Sequence, residues 1–580
     1  ERVYSRGKAG RKKNIACAAR DNLRQSGNVT VNVRNRNNAA VAVFGIIRIN
    51  EQRCNLFDFK GCIQRGKLAE RDCSIFAVNG SGAGECFIKA KGACGMKYKG
   101  TYYDMWDTWF LNVNDTIHGF HLKQHPGENW NLGHVYTDDL LHFKKMRDVL
   151  ETLPEEKYPD DCLGKFTGCA VEKDGKYYLF YTMRNRYRSE KIGLAISEDL
   201  EHFIEYKNTP VLTPDEGLFV VRAKGEKTDC RDMNIVYDEE NEIYYGYFAA
   251  MANVKNRGEI GVIGVAESFD LINWNNQKIV YVPYFNGVVE VPNVFKSDGK
   301  WYMTLLTGSM YGAKQATNES DLTCFTISAC SESPNGMFKD AGVFLGGTQQ
   351  SGYACRCVDY RGKTYVMYID RSEYGAAISL PKEIKITDGE PKPYYTSVLQ
   401  NMRTGRKRRI FEFEKIPSAW PWGYVSGGSI KNSGNLISVC ADDSSFQGFM
   451  IKDFKVCSLE SEFILSGDFK EAGFVLLCYS ENENLWGRCA ENEYYIAVNK
   501  SENTLILYGN MLEPICRRKL ETVKEKRHIR VIAMEGQLEV YLDDILFIQQ
   551  GIKTEMAIAG GLFSACGNAD FRNLQVYELE

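Results

Sequence analysis

Three short segments of the chain each combine an acidic residue with unusual neighbours shortly before an aromatic-rich stretch. They contain Asp107, Asp232 and Glu290. Carboxyl groups in such a set can cleave a glycosidic bond: one attacks the anomeric carbon or activates water, and another protonates the leaving oxygen. A third carboxylate can hold ring hydroxyls and stabilise the positive charge that develops on the sugar. Crowding of the three raises the pKa of the acid, as that role requires.

The first segment contains a second acid, Asp104, which is a rival for the attacking group. We prefer Asp107, because its distance from the following strand better suits an innermost strand. Trp106 and Trp109 flank it and offer flat faces on which a sugar ring can stack. Further predicted substrate contacts are Trp130, at the pocket mouth, and Arg231 and Asn293, within the other two acidic segments.

A five-fold repeat tells us how these segments are positioned. The repeated phrase is a turn followed by an aromatic-rich strand, and it spans 115–122, 175–181, 241–248, 299–306 and 362–369. A period of roughly 60 residues with short strands is typical of a propeller with four-stranded blades. The sequence therefore predicts five blades, with the acids on the innermost strands, immediately upstream of the repeated strand. Side chains on those strands converge on a central pocket.

The rest of the chain indicates an all-β protein with two flanking regions. Residues 1–98 are predicted to be a β-rich N-terminal extension, and 99–400 the five-bladed β-propeller. Residues 410–580 contain short alternating strands separated by turns, which is typical of an antiparallel β-sandwich. Helix signals are scarce throughout.

Composition excludes several classes of function. The 580 residues carry a net charge of −3, which gives no reason to expect nucleic acid or an anionic membrane as a partner. The 19 cysteines have no C-x-x-C spacing, so a zinc site or a disulfide framework is not expected. With no signal peptide or spanning segment recognisable, a cytoplasmic location is expected. We expect no cofactor and no metal. The expected partner is a glycoside or oligosaccharide substrate, and association of the chain into a homo-oligomer is compatible with the sequence.

At the acidic segments the chain resembles glycoside hydrolase family 32, the invertases, inulinases and levanases, with relatives in families 68 and 43. Arg231-Asp232-Met233 resembles the family's RDP motif, Glu290-Val291-Pro292 its ECP motif, and Phe166-Thr167-Gly168 its FSG motif. Asp107, shortly before Phe120–Gln124, resembles the opening motif. The resemblance covers roughly residues 100–580 and implies a five-bladed propeller followed by a β-sandwich.

The resemblance also implies roles for individual residues. Asp107 would be the nucleophile, Asp232 the transition-state stabiliser, Glu290 the general acid/base, and Phe166 a substrate contact. The chain departs from the family where WDTWF replaces NDPNG, and where Met233 and Val291 replace Pro and Cys. The expected activity is therefore an exo-acting, retaining glycoside hydrolase, most simply of the β-fructofuranosidase type. The alternatives are an inverting family 43-like arabinofuranosidase or xylosidase and a carbohydrate-binding protein without catalysis.

Overall fold

The computed structural model describes residues 105–580 apart from short gaps, together with five strands before residue 105. The gaps are 125–128, 153–154, 157–158, 224, 309–323, 348–351, 373–374, 409–410, 416–426, 453–455, 480–491, 511–512, 522–523, 535 and 553–556. The chain forms two compact units, Glu1–Gly95 and Met96–Glu580. Most of the predicted N-terminal extension, and also Asp104, lie outside the described residues.

The described elements are almost all strands. Four belong to the first unit: β1 (Val31–Asn35), β2 (Ala40–Val41), β3 (Cys73–Asn79) and β4 (Gly82–Cys86). The strands of the propeller region are β5 (Lys99–Gly100), β6 (Thr108–Val113), β7 (Thr116–Lys123), β8 (Asn131–Thr137), β9 (Lys144–Lys145), β10 (Gly164–Lys173), β11 (Lys176–Arg184), β12 (Glu190–Ser197), β13 (Ile204–Glu205), β14 (Cys230–Asp238), β15 (Ile243–Val254), β16 (Gly258–Ser268), β17 (Asn275–Tyr281), β18 (Glu290–Ser297), β19 (Lys300–Thr307), β20 (Cys324–Ser331), β21 (Lys339–Gly347), β22 (Tyr353–Tyr360), β23 (Lys363–Ser372), β24 (Gly375–Ile378), β25 (Lys382–Thr387) and β26 (Glu390–Tyr394).

The C-terminal region begins after a short 3₁₀ helix, Ser397–Met402. Its strands are β27 (Arg403–Arg408), β28 (Phe413–Lys415), β29 (Gly428–Asn432), β30 (Leu436–Ile451), β31 (Leu459–Tyr479), β32 (Asn492–Asn499), β33 (Thr504–Tyr508), β34 (Pro514–Lys519), β35 (Arg527–Met534), β36 (Gln537–Leu542), β37 (Ile545–Gly551) and β38 (Ala557–Leu579). The long strands β30 and β31 both pair with β38, and a large apolar core lies between the layers. The predicted all-β sandwich is confirmed.

Four separate four-stranded blades precede this sandwich. They are β6–β9, β10–β13, β14–β17 and β18–β21, and in each the strands pair antiparallel in chain order. Strands β22–β25 follow the same order but hydrogen-bond onward into the C-terminal sheet. The propeller architecture is thus confirmed, but the predicted count of five separate blades is not, because β24 and β26 pair with strands outside a blade.

Local sequence explains the regularity of the blades. The repeated strands are β7, β11, β15, β19 and β23, the second strand each time. Asp174-Gly175 and Asp298-Gly299 form tight hairpin turns with positive φ at both residues, which Asp and Gly tolerate best. Among the described residues, no helix is long and apolar enough to cross a lipid bilayer.

Candidate active site

A β-bulge interrupts the inner strand of four successive strand groups at the same level. In β10, β14, β18 and β22 two residues lie opposite one residue of the partner strand. The first residue of the pair has positive φ in three of them: Asp232 (61°), Val291 (50°) and Ala354 (54°). Positive φ is unusual for Val and Ala, and strained backbone of this kind concentrates at functional sites. The bulges turn the side chains at this level away from the regular alternation of the strand.

The three acids do not occupy equivalent positions on their inner strands, although all three were expected at one place upstream of the repeated strand. Asp232 is the first bulge residue of β14, whereas Glu290 immediately precedes the bulge of β18 and so corresponds to Arg231. Asp107 precedes β6, whose pairing with β7 is regular. The three acids therefore come from two adjacent levels of the inner strands.

Asp107 is buried, with 7% of its surface exposed. Its backbone carbonyl accepts a hydrogen bond from Leu122 N at 3.0 Å, which fixes it beside the second strand of its blade. Thr167 Oγ1, from the neighbouring blade, donates a hydrogen bond to Asp107 Oδ2. The Thr182 hydroxyl connects Thr167 to the third blade. Its Oγ1 donates to the backbone carbonyl of Thr167 at 2.7 Å and accepts from Asp232 N at 3.0 Å. Three blades are thereby locked together around Asp107.

Asp232 is equally buried, at 5% exposure. Its Oδ2 accepts a hydrogen bond from Val291 N at 3.1 Å. Burial raises the pKa of Asp232 to about 8, and the negative charges of Glu290 and Asp107 add to the effect, while the Arg231 guanidinium opposes it. Desolvation and like charges both disfavour the ionised carboxylate, so this carboxyl group holds its proton near neutral pH.

Glu290 is held by Arg231. The Nε and Nη2 atoms of the guanidinium donate to Glu290 Oε1 at 3.1 and 2.7 Å, and the same Nε lies 3.7 Å from Asp232 Oδ2. Arg231 Nη1 is bound on its other side by Glu190 Oε2 at 3.2 Å and by Asp229 Oδ1. Two charge-assisted donors on the one oxygen Oε1 fix the position of the Glu290 carboxylate.

Aromatic side chains cluster around Trp106, the residue directly before Asp107. The Trp106 ring lies edge-on to Trp130, with centroids 5.5 Å apart, and to Tyr353, at 6.1 Å. Trp130 also contacts Phe166 at 6.1 Å, and the Arg184 guanidinium lies 4.0 Å over the Phe166 ring. Trp106, Trp130 and Phe166 are all only partly buried, as surfaces that receive a sugar ring must be.

This arrangement has the acids and aromatic faces that glycoside cleavage needs, and residues 109–392 match the family model described as the glycosyl hydrolase family 32 N-terminal domain. The chain carries a family 32 domain. By family it is a glycoside hydrolase, and its resemblance to family 32, inferred from the motifs, is confirmed.

Solved structures of family 32 enzymes share this fold. One is the GH32 β-fructofuranosidase of Bombyx mori, 16% identical, with a TM-score of 0.58 over 84% of this chain and 93% of that one. Another is sucrose-6-phosphate hydrolase from Lactobacillus gasseri, 14% identical, TM-score 0.60, covering 85% and 94%. A third is exo-inulinase from Aspergillus awamori, 13% identical, TM-score 0.60, covering 85% and 99%. At these identities the likeness shows the fold alone.

Two predicted substrate contacts of the family 32 domain are wrong. Trp109 is 1% exposed and packs in the apolar core between the first two blades, stacked against Phe120 at 6.3 Å. Trp109 is two residues beyond Asp107 in the chain. Its ring therefore lies one level further along the inner strand than the acids. Asn293 is 3% exposed, and its Oδ1 accepts a hydrogen bond from Cys357 N at 3.1 Å, joining two inner strands.

Other residues of the site were given no role from the sequence, although Thr167 lies within the Phe166-Thr167-Gly168 motif. Thr167 and Glu190 contact Asp107 and Arg231, and their partners are far away in the chain. Arg356, on β22, is 2% exposed, and its guanidinium donates to the carbonyl of Pro292 and, at 3.3 Å each, to those of Gly168 and Asp232. It thereby joins the bulges of three other inner strands. Its position six residues before the last repeated segment, 362–369, where an innermost strand is expected, was the one signal in the sequence.

Proposed function

We propose that this glycoside hydrolase is a retaining, exo-acting enzyme of the β-fructofuranosidase type. The observation that carries the proposal is the meeting of Asp107, Asp232 and Glu290: the charges of Asp107 and Glu290 both act on Asp232, and one guanidinium contacts both Asp232 and Glu290. Two of the structural relatives are named a β-fructofuranosidase and an exo-inulinase, which supports a fructoside as substrate.

In this proposal the residues have distinct roles. Asp107 attacks the anomeric carbon, and the hydrogen bond from Thr167 orients its attacking carboxylate. Glu290 protonates the leaving oxygen and then activates water, with Arg231 fixing its position. Asp232, which holds its proton, can donate a hydrogen bond to a ring hydroxyl and accept another, and so stabilise the transition state.

The proposed exo action rests on the geometry of the aromatic residues. Phe166 and Tyr353 directly precede the bulges of their strands, as Glu290 does, and Trp106 directly precedes Asp107. With Trp130, which packs edge-on to Trp106, they are suited to receive one terminal ring. We further propose that β22–β25 serve as a fifth blade, because β22 contacts both β18 and β6 and so closes the circle of inner strands.

Hydrolysis of sucrose, inulin, levan and aryl furanosides tests the proposal. Wild type is expected to release fructose from at least one of them, and Asp107→Asn and Glu290→Gln to lose at least about 10³-fold in kcat/KM, as expected for removal of a nucleophile or acid. The matched controls Asp174→Asn and Glu198→Gln, at exposed positions, should retain full activity. Wild type no more active than Glu290→Gln on every sugar would mean that the chain binds carbohydrate without cleaving it.

Transfer to methanol tests retention. A double displacement through Asp107 forms a covalent intermediate that methanol can intercept, so methyl β-fructoside should appear beside fructose. An inverting enzyme gives no methyl glycoside of retained configuration. Release of arabinose or xylose in place of fructose would favour the family 43-like alternative.

A further inference from the structure

The Glu190 carboxylate joins two arginines beside the candidate site. Glu190 is the first residue of β12 and is 1% exposed. Its Oε1 atom accepts from Arg184 Nε at 3.0 Å and from Arg184 Nη2 at 2.5 Å. Its Oε2 atom accepts from Arg231 Nη1 at 3.2 Å and from Cys230 N at 3.3 Å. A carboxylate has about four acceptor positions, so these four donors hold the Glu190 carboxylate in one orientation.

Arg184 anchors this carboxylate within the second blade. Arg184 and Glu190 lie directly opposite each other on β11 and β12, so the pairing of the strands fixes the distance between them. The Arg184 guanidinium also lies 4.0 Å over the ring of Phe166, one of the predicted substrate contacts. Glu190 is therefore a fixed point of the second blade, and its contact with Arg231 crosses to the third blade.

Arg231 carries this fixed position on to Glu290. Its Nη1 atom binds Glu190 and Asp229, whereas its Nε and Nη2 atoms bind Glu290 Oε1 on β18, in the fourth blade. A free arginine side chain samples many rotamers, and two carboxylates on Nη1 remove that freedom when the chain folds. The Glu290 carboxylate is therefore already in place before a substrate binds, which is what efficient proton transfer requires.

We propose that Glu190 is a positioning residue of the glycosidase reaction, which holds Arg231 so that Glu290 stays within reach of the leaving oxygen. This inference rests on the proposed role of Glu290 as the general acid. The proton passes from Glu290 to the leaving oxygen while the bond between that oxygen and the anomeric carbon breaks. Without Glu190, the Arg231 guanidinium is held less firmly, and Glu290 is less often in the position from which it can give up its proton.

Two kinds of substrate that differ in the leaving group test the proposal. The leaving oxygen of sucrose or inulin needs a proton, whereas the fluoride of β-fructofuranosyl fluoride leaves with little help from an acid. Glu190→Gln should lower kcat/KM about 10- to 100-fold for sucrose and inulin, a part of what a general acid contributes, and less than about 3-fold for the fluoride. General damage to the fold would lower all these values alike.

Glu190→Asp is the second variant, because it keeps the buried negative charge and so protects the fold. Its shorter side chain can keep the cross-strand contact with Arg184 but cannot also reach Arg231. It should therefore show the same difference between the two kinds of substrate. Glu198→Gln, at an exposed position just after β12, is the matched control and should behave like wild type on all of them.

The crystal structure of Glu190→Asp separates this proposal from the proposed function. The contacts of Arg231 Nε and Nη2 with Glu290 Oε1, at 3.1 and 2.7 Å in the wild type, should lengthen beyond hydrogen-bonding distance. If wild type cleaves none of these substrates, the proposed function fails, and this crystal structure alone decides the role of Glu190. Unchanged contacts between Arg231 and Glu290, or equal losses of kcat/KM for sucrose, inulin and the fluoride, or no loss for any of them, would overturn the proposal.

Discussion

Replacement of Asp232 by Asn should make the protein more stable at alkaline pH than wild type. The amide has the size of the carboxyl group, and its oxygen can still accept the hydrogen bond from Val291 N. The variant differs from wild type in one respect that depends on pH: it never carries the charge that burial and the neighbouring Glu290 and Asp107 disfavour.

The sign and size of the effect follow from the pKa. The folded state raises the pKa of Asp232 from 3.8 to about 8, so between these values the folded protein keeps a proton that the unfolded chain releases. Folding stability of wild type therefore falls as pH rises through this window, and the loss is complete above pH 8. At 1.36 kcal/mol per pH unit, the stability of wild type relative to Asp232→Asn should fall by about 4 kcal/mol from pH 5 to pH 8.

Urea denaturation at pH 5, 6.5, 8 and 9 measures this difference. Tryptophan fluorescence reports the propeller, because five of the eight tryptophans, at 106, 109, 130, 274 and 301, lie there. Asp174→Asn, at an exposed turn, serves as the control and should track wild type at every pH. A difference between Asp232→Asn and wild type that stays constant within about 0.5 kcal/mol from pH 5 to pH 9 would refute the reasoning, since the Asp232 carboxyl would then titrate alike in both states.

Three further substitutions test the structure of the site. Thr167→Val removes the hydrogen bond to Asp107 and should lower kcat/KM about 10- to 100-fold, with Thr167→Ser restoring most of it in steady-state kinetics. Arg356→Met leaves three buried carbonyls without their donor and should cost about 3 kcal/mol or more in urea denaturation, whereas Arg361→Met, at an exposed site, should change stability by less than about 0.5 kcal/mol. Gly168→Ala would drive a Cβ into the Phe180 carbonyl oxygen and should lower the thermal unfolding temperature far more than Gly217→Ala, at an exposed turn, where the Cβ meets only the solvent-exposed Asp215 carboxylate at 3.2 Å; equal shifts would contradict the close approach at Gly168.

The sequence predicted much of the fold because local physics sets it. The repeated strands became β7, β11, β15, β19 and β23, and the Asp-Gly pairs became hairpin turns with positive φ. Alternation in the last third predicted the sandwich in the same way. The continuation of strands β22–β25 into the C-terminal sheet was not predictable. It depends on pairing between strands that are far apart in the chain, β24 with β5 and β26 with β37.

The candidate site was predictable in part. Motifs identified Asp107, Asp232, Glu290 and Arg231, and the structure brings the latter three into contact and connects Asp107 to them through Thr167. Trp109 was misplaced, because its position beside Asp107 in sequence says nothing about the level at which its ring lies. Asn293 was misplaced because a bulge between it and Glu290 changes the alternation of the strand.

What the sequence determined by itself is which residues recur with the period of the blades, since periodicity and turn chemistry act between near neighbours. Which of those residues face one another was decided only by the tertiary structure. Arg356 shows the reason: its three acceptors are 188, 124 and 64 residues away, at Gly168, Asp232 and Pro292. Only the closed circle of inner strands brings them to one guanidinium. The bulge that contains Asp232 is likewise a strained turn, whose cost the packing of adjacent blades offsets.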